Sequence, residues 1–161
     1  LSRRPEPLAP YFEIELLETA AHEDIDATSK LLARCRALGV RFALDDFGSG
    51  YTSYAHLKNL RTDILKIDGS FVRDMITSES DVAMVKSMSD IAHVLGMKTV
   101  AEWVEQPEVL ALLAEGGIDY AQGYAIERPF RLELLASRLP TTNAASQDGI
   151  GQFDAVAGAA S

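Results

Sequence analysis

The chain has little cysteine, no long apolar run and no excess of positive charge, and each of these deficits excludes a class of protein. Cys35 is the only cysteine among 161 residues, so no internal disulfide can form, as is typical of a reducing cytoplasm. No apolar stretch approaches the ~20 residues that a membrane-spanning helix requires. The formal charge of −9 argues against a broad DNA- or RNA-binding surface. A small anionic ligand held through metal ions is compatible with that charge.

The two ends of the sequence differ in composition from the middle. The chain begins at Leu1 rather than Met, which indicates a processed, cloned or truncated piece of a longer protein. Its first residues lack the apolar segment of a secretory signal. The 47% hydrophobic content is enough for one globular domain with a core. After Pro140 the composition is rich in Ala, Ser, Gly, Asn and Gln, and we expect residues 140–161 to form a disordered tail.

Between these ends, five segments with a strand pattern alternate with segments that have helical spacing. The predicted strands are 12–17, 40–45, 63–67, 98–103 and 119–124. The predicted helices begin near Asp24, Tyr51, Ser80 or Asp81, Pro107 and Leu132, and end before Gly39, at Leu60, before Gly96, before Gly116 and at Leu139. Strand–helix alternation of this kind predicts an α/β fold with a parallel sheet and right-handed crossovers.

Polar side chains stand at or near the carboxyl end of every predicted strand. They are Glu15 and Glu18, Asp45 and Asp46, Lys66 and Asp68, Glu102 and Glu105, and Gln122. Five strands with this feature predict a shared site at one mouth, as in a (β/α)₈ barrel. A full barrel needs eight strands, so five strands would form an open sheet with two unpaired edges and an exposed apolar interior.

Asp45 and Asp46 lie at the end of an apolar run and are followed by the glycines of Phe-Gly-Ser-Gly. Ligands in α/β folds bind beyond the carboxyl ends of such strands. Adjacent carboxylates repel each other unless a cation or proton neutralises them, which favours a divalent-metal site. A solvated turn, in which one aspartate caps the next helix, explains the same residues equally well.

The other charged positions also have structural explanations. Lys66 lies inside an apolar strand, where an unpaired charge is costly, so it is either catalytic or a packed lysine paired with Asp68 or Asp46. Glu102 and Glu105 by themselves are typical of a solvated strand end.

Five separated motifs are similar, in order and spacing, to those of EAL domains, bacterial phosphodiesterases that open cyclic di-GMP to linear pGpG. The motifs are Glu15-Leu-Leu-Glu18, Leu44-Asp-Asp-Phe-Gly-Ser-Gly-Tyr51, Leu65-Lys-Ile-Asp68, Ala101-Glu-Trp-Val-Glu105 and Gln122-Gly-Tyr124. The resemblance covers residues 1–139. It implies a partial EAL domain, with about the last five β/α units of a TIM-like (β/α)₈ barrel.

The resemblance also implies a role for each motif residue. The implied metal ligands, for two Mg²⁺ or Mn²⁺ ions, are Glu15, Asp45, Asp46 and Glu102. Lys66 would lie near the attacking water, Glu102 would also assist activation of that water, and Glu18 would hold the Asp-Phe-Gly-Ser-Gly loop in place. The implied supporting or substrate-binding positions are Asp68, Glu105 and Gln122.

The implied partners are cyclic di-GMP and either a second copy of the chain or further domains of a longer signalling protein. The resemblance places such a protein in the bacterial cytoplasm, although the parent could be anchored to a membrane upstream. DNA is not an expected partner, and this chain contains no predicted membrane segment.

The sequence departs from the EAL pattern at several places. The Glu-Ala-Leu motif and the Asn-bearing strand that follows it, both sources of metal ligands, are absent from the 161 residues. Trp103, Leu17 and Arg61 replace a usual glycine, threonine and proline. Two functions therefore stay open: a phosphodiesterase that is inactive as this short chain, or a degenerate module that binds cyclic di-GMP or a protein partner without hydrolysis.

Overall fold

The computed structural model describes residues 9, 12–18, 25–50, 54–60 and 62–134. The strands are β1 (Glu13–Leu17), β2 (Arg41–Phe47), β3 (Ile64–Ile67), β4 (Lys98–Ala101) and β5 (Tyr120–Ala121). The helices are α1 (Ile25–Arg36), α2 (Tyr54–Leu60), α3 (Gly69–Arg73), α4 (Glu79–Val94) and α5 (Val109–Glu115), followed by a 3₁₀ turn at Leu132–Leu134. The tail predicted at 140–161 lies outside the described residues.

The five strands form one sheet in the order β1-β2-β3-β4-β5, and every neighbouring pair is parallel. The order never reverses, so each crossover moves the chain one position further in the same direction. This is the arrangement of a barrel wall, whereas a doubly wound sheet reverses its order at a switch point. The predicted parallel α/β sheet is confirmed.

The two faces of the sheet have different cores. The helix-covered outer face carries the larger core, which includes Phe42, Leu44 and Leu65 of the strands. The inner face carries a small cluster of Ala43, Ile64 and Val100, with Tyr120 against it. Successive strand residues point to opposite faces, which explains why Phe42 and Ala43 belong to different cores.

Five boundary predictions need correction. α4 begins at Glu79, before the predicted Ser80 or Asp81, because the Ser78 hydroxyl caps it by accepting from the Asp81 N–H at 3.3 Å. α5 begins at Val109, because Pro107 lies in a turn and not at the first helical position.

The other three corrections shorten predicted elements. β4 ends at Ala101 and β5 has two residues, so both strands stop before the polar residues at their carboxyl ends. Of the closing helix predicted to reach Leu139, Leu132–Leu134 form a 3₁₀ turn and residues 135–139 are outside the described ranges. The five-residue α3 was not predicted, since it is too short to show a helical period; Asp68 caps it by accepting from the Ser70 N–H.

Asp119, just before β5, connects three elements at the amino ends of the strands. One oxygen lies 2.6 Å from Lys98 Nζ, and the other lies 2.7 Å from His93 Nε2 and accepts from the Thr99 N–H at 2.9 Å. These contacts with α4 and β4 outweigh the effect of burial and lower the pKa of Asp119 to about 2. The cluster therefore joins β4, β5 and α4 at the end of the sheet opposite the acidic residues.

β1 pairs only with β2 among the described strands. Large apolar side chains are exposed beside it, with Phe12 59% and Ile14 41% accessible. In the part of the chain that the structure describes, the predicted open edge is therefore present. Within the described ranges no helix combines the length and apolar content needed to cross a membrane.

Candidate active site

An irregularity in β2 brings its two aspartates to the same side of the sheet. The register with β3 runs from Leu44 opposite Leu65 to Phe47 opposite Ile67, so β2 contains one extra residue. Asp46 has a φ of 56°, in the left-handed region. In a regular strand, Asp45 and Asp46 would point to opposite faces, but a bulge redirects side chains. Both aspartates accordingly reach the inner face while Phe47 remains in the outer core.

Lys66 is the centre of the site. Its Nζ lies 2.7 Å from Glu15 Oε1, 2.8 Å from Asp45 Oδ1 and 2.8 Å from Glu102 Oε1. The three carboxylates come from β1, β2 and the end of β4, and the Lys66 side chain is almost completely buried. The predicted convergence at one mouth is thus seen for these residues. The alternative pairing of Lys66 with Asp68 or Asp46 is wrong, because β3 directs its ammonium toward Glu15, Asp45 and Glu102.

The charges in this cluster shift one another's ionisation. Burial alone lowers the pKa of Lys66, but hydrogen bonds to Asp45, Glu102 and Glu15 outweigh burial and raise the pKa well above its usual value. Burial raises the pKa of Glu102, and the attraction of Lys66 opposes this only in part because Asp45 and Asp46 are close. Burial, followed by repulsion from Asp45 and Asp68, raises the pKa of Asp46. The cluster carries more negative than positive charge, and a further cation would stabilise it.

Three carboxylates are placed to share such a cation. One oxygen each from Asp45, Asp46 and Glu102 lie within 4.8 Å of one another. Carboxylate oxygens are the donors preferred by Mg²⁺ and Mn²⁺. The donor set therefore fits a divalent cation of this class. Glu15, on the edge strand, is half-exposed and touches Lys66 from the other side.

Glu18 holds the loop that follows the aspartates. The buried Glu18 carboxylate accepts a hydrogen bond from the Gly48 N–H at 2.9 Å. A Cβ on Gly50 would lie 2.6 Å from Glu18 Oε1, so a larger residue at position 50 would displace the Glu18 carboxylate. The loop-organising contact implied for Glu18 is present in the geometry.

The three predicted supporting residues surround the cluster at different distances. Asp68 caps α3 and is close enough to raise the pKa of Asp46. Glu105 and Gln122 are exposed and line a neighbouring cavity with Trp103, Gly123 and Tyr124. Backbone hydrogen bonds from Val104 N–H to Gln122 and from Gln122 N–H to Ala101 hold the two loops together. None of these three side chains contacts Lys66 in the ion pairs described above.

Trp103 occupies an unusual backbone position. Its φ is 56°, where a side chain is strained and glycine is favoured. Trp103 is 64% exposed. Because β4 ends at Ala101, strand alternation does not set the direction of its side chain. A Cβ on Gly69 would lie 2.5 Å from both Cβ and Cγ of Trp103. The only signal in the sequence was that a tryptophan stands where the motif usually has glycine.

Comparison with known families decides what this arrangement belongs to. The EAL domain model matches residues 2–129, most of the chain. The chain is a member of the EAL domain family. Among relatives, it is 48% identical over 115 residues to the cyclic di-GMP phosphodiesterase PdeB of Shewanella oneidensis, covering 71% of this chain and 13% of that protein. It is 42% identical over 127 residues to the cyclic di-GMP phosphodiesterase NbdA of Pseudomonas aeruginosa, covering 79% and 16%.

Solved EAL structures confirm the fold. The PaMucR phosphodiesterase in complex with c-di-GMP superposes with a TM-score of 0.74 at 34% identity, over 79% of this chain and 51% of that chain. The manganese/cy-diGMP complex of BlrP1 from Klebsiella pneumoniae gives 0.68 at 34% identity, over 72% and 30%. The TIM-like barrel class is therefore confirmed. This EAL chain spans only a small part of the two relatives above and about half of the PaMucR chain.

Proposed function

We propose that this EAL chain contributes the carboxyl-terminal part of a phosphodiesterase site that hydrolyses cyclic di-GMP to pGpG. The single observation that carries the proposal is that the Lys66 Nζ lies 2.7–2.8 Å from carboxylate oxygens of Glu15, Asp45 and Glu102. These four residues come from β3, β1, β2 and the end of β4. Relatives named as cyclic di-GMP phosphodiesterases support the choice of substrate.

Hydrolysis needs a water to attack phosphorus while negative charge accumulates on the phosphate oxygens. Lys66 supplies a positive charge that is held in one direction by three carboxylates, so it can stabilise that negative charge without first reorganising. Glu102, whose pKa is raised, is suited to accept and return a proton at the attacking water. Breaking one phosphate–ribose bond opens the ring and leaves a free hydroxyl and a terminal phosphate.

The residues that would hold Mg²⁺ or Mn²⁺ are Asp45, Asp46 and Glu102, with Glu15 as a further ligand. When bound, such ions lower the pKa of a bound water and neutralise phosphate charge. Glu18 would keep the aspartate loop in register through Gly48. Asp68 acts by capping α3, and Glu105 and Gln122 are placed for substrate contact at the adjoining cavity.

The decisive experiment compares hydrolysis of cyclic di-GMP by the chain and by the full-length product of its gene, with Mg²⁺, Mn²⁺ or Ca²⁺. We expect the full-length protein to form pGpG with Mg²⁺ or Mn²⁺ and to be inhibited by Ca²⁺, whose looser coordination positions water less well. Asp45→Asn and Glu102→Gln should each lower turnover by at least about 100-fold. Near-full activity of either variant would contradict the assigned roles.

The 161-residue chain alone should show little or no turnover. Its five described strands supply only part of a barrel wall, and its sequence lacks the Glu-Ala-Leu and Asn motifs. A cation would therefore be under-coordinated and the water poorly positioned. Robust pGpG formation by the chain, lost in Glu102→Gln, would show that these missing parts are dispensable. Thermal shift with Mn²⁺, compared between wild type and Asp45→Asn, tests cation binding independently of turnover.

A non-catalytic binding module is the second candidate. The observation in its favour is the strained Trp103, directly beside Glu102, where EAL motifs usually have glycine. Cyclic di-GMP binding by the full-length protein without pGpG formation, under every cation tested, would select this function.

A further inference from the structure

A cavity of about 300 Å³ lies at Trp103, the residue that follows Glu102 of the acidic cluster, and has an aromatic lining that hydrolysis does not require. It is lined by Trp103, Glu105, Gln122, Gly123 and Tyr124. This volume is at the lower end of the ~300–1,000 Å³ range of small-molecule sites. Because Trp103 directly follows Glu102, a ligand with its phosphate at the acidic cluster could place a neighbouring group here.

The lining favours a flat, neutral ring over a phosphate. Trp103 and Tyr124 are 64% and 55% exposed, so both offer ring surface. Arg128 already lies over the Tyr124 ring, 4.9 Å from its centroid, which leaves Trp103 as the wall without a described cation on its ring. Aromatic side chains of this kind stack on nucleobases, and a carboxylate such as Glu105 repels phosphate but accepts from N–H donors.

The backbone at Trp103 indicates that the position of the indole is imposed by its surroundings. A left-handed φ at a tryptophan persists only where neighbouring structure over-determines it, and such strain concentrates at binding sites. Because Gly69 has no Cβ, the Cβ and Cγ atoms of Trp103 can pack closer to its backbone than an alanine at position 69 would allow. A hydrogen bond from the Val104 N–H to the Gln122 carbonyl, at 3.0 Å, joins the two loops that line the cavity.

We propose that Trp103 is a specificity-determining residue whose indole stacks on one guanine base of the cyclic dinucleotide in this cavity. The inference rests on the proposed function, and it assigns to this chain a base contact that a glycine at the same position could not make. Glu105, on the same cavity wall, would favour guanine over adenine by accepting from the N–H groups of the guanine edge.

Trp103 is the only tryptophan in the chain, so its fluorescence reports on this cavity alone. We expect cyclic di-GMP, titrated with Ca²⁺ to suppress turnover, to quench this fluorescence to saturation. Cyclic di-AMP should bind more weakly and quench less at equal concentration. Saturable cyclic di-GMP binding seen by calorimetry without any change in fluorescence would overturn the proposal.

Three variants separate stacking from a structural role. Trp103→Leu and Trp103→Phe keep the strained backbone position, but only phenylalanine keeps a ring; calorimetry should show roughly tenfold weaker binding for leucine and near-wild-type binding for phenylalanine. Trp103→Gly should weaken binding as leucine does and yet melt no lower than wild type, because the strain is released. Parallel losses of affinity and melting temperature in all three variants would indicate a structural role and overturn the proposal.

The same measurements distinguish failure of the stacking role from failure of the proposed function. Equal cyclic di-GMP affinities for wild type and Trp103→Leu would overturn the stacking role while leaving the proposed function standing. The proposed function fails if cyclic di-GMP binds neither to the 161-residue chain nor to the full-length protein, as wild type or as any variant. The stacking role then fails with it.

Discussion

At the residue scale, two residues of the site have left-handed backbone conformations. Asp46 belongs to the acidic cluster, and Trp103 follows Glu102 of that cluster. Asp46, with a φ of 56°, shares a possible cation site with Asp45 and Glu102. Trp103, with the same φ, packs against Gly69. Aspartate tolerates this conformation better than tryptophan, so the strain is concentrated at Trp103.

A double-mutant cycle tests the contact between Gly69 and Trp103. Gly69→Ala alone should cost about 1–3 kcal/mol in the free energy of unfolding, because its Cβ would overlap the base of the indole. Trp103→Gly alone should leave stability unchanged or raise it by up to about 1 kcal/mol, since released strain at least offsets the lost contacts. In the double variant most of the Gly69→Ala cost should disappear, giving a coupling of about 1 kcal/mol or more by urea denaturation. Additive effects would mean that the two residues do not touch in solution.

At the element scale, the Asp119 cluster joins α4, β4 and β5 and has a pH dependence with a definite sign. The folded pKa of Asp119, about 2, is below its ordinary value of 3.8. Its contribution to stability is therefore complete well above pH 3.8 and is lost as pH falls toward 2. Because Asp119 is partly solvated, we expect that contribution to be about 1–2 kcal/mol.

Comparing urea denaturation of wild type and Asp119→Asn at several pH values measures this contribution directly. The variant should be less stable at pH 7 and pH 5, and the difference should shrink as pH falls below about 3.8. Asp90→Asn is a matched control, because Asp90 makes only a long, exposed contact of 3.8 Å to Lys86. A difference for Asp119→Asn that is constant down to the acid transition would contradict the ionic origin of the stabilisation.

At the scale of the whole molecule, β1 is an edge strand of the sheet that the described residues form, and apolar side chains lie on its outer face. Ile14 has the same orientation as Leu16, which packs on the outer core, yet Ile14 remains substantially exposed. Exposed strand edges with apolar residues promote pairing between chains. We therefore expect the isolated chain to self-associate and to melt at a temperature that depends on concentration.

Sedimentation velocity over a wide concentration range tests this expectation. Ile14→Lys should shift the chain toward monomer, whereas Val94→Lys, at an exposed site at the end of α4, should leave association unchanged. A wild-type chain that stays monomeric with a sharp, concentration-independent melt would show that the edge is not a site of association.

The parallel α/β architecture, the family and the residues that could meet at one mouth were predictable from the sequence, because strand and helix periods and ordered motifs are local properties of the chain. Lys66, Asp45, Glu102 and Glu15 were all predicted in this way. The partners of Lys66 were not predictable, because they depend on the register between strands distant in sequence. Two further features were set by the tertiary structure: a bulge brings Asp45 and Asp46 to one face, and Trp103 takes a left-handed backbone against Gly69. Local alternation predicts the opposite for the two aspartates, and only packing between neighbouring strands and loops can override it.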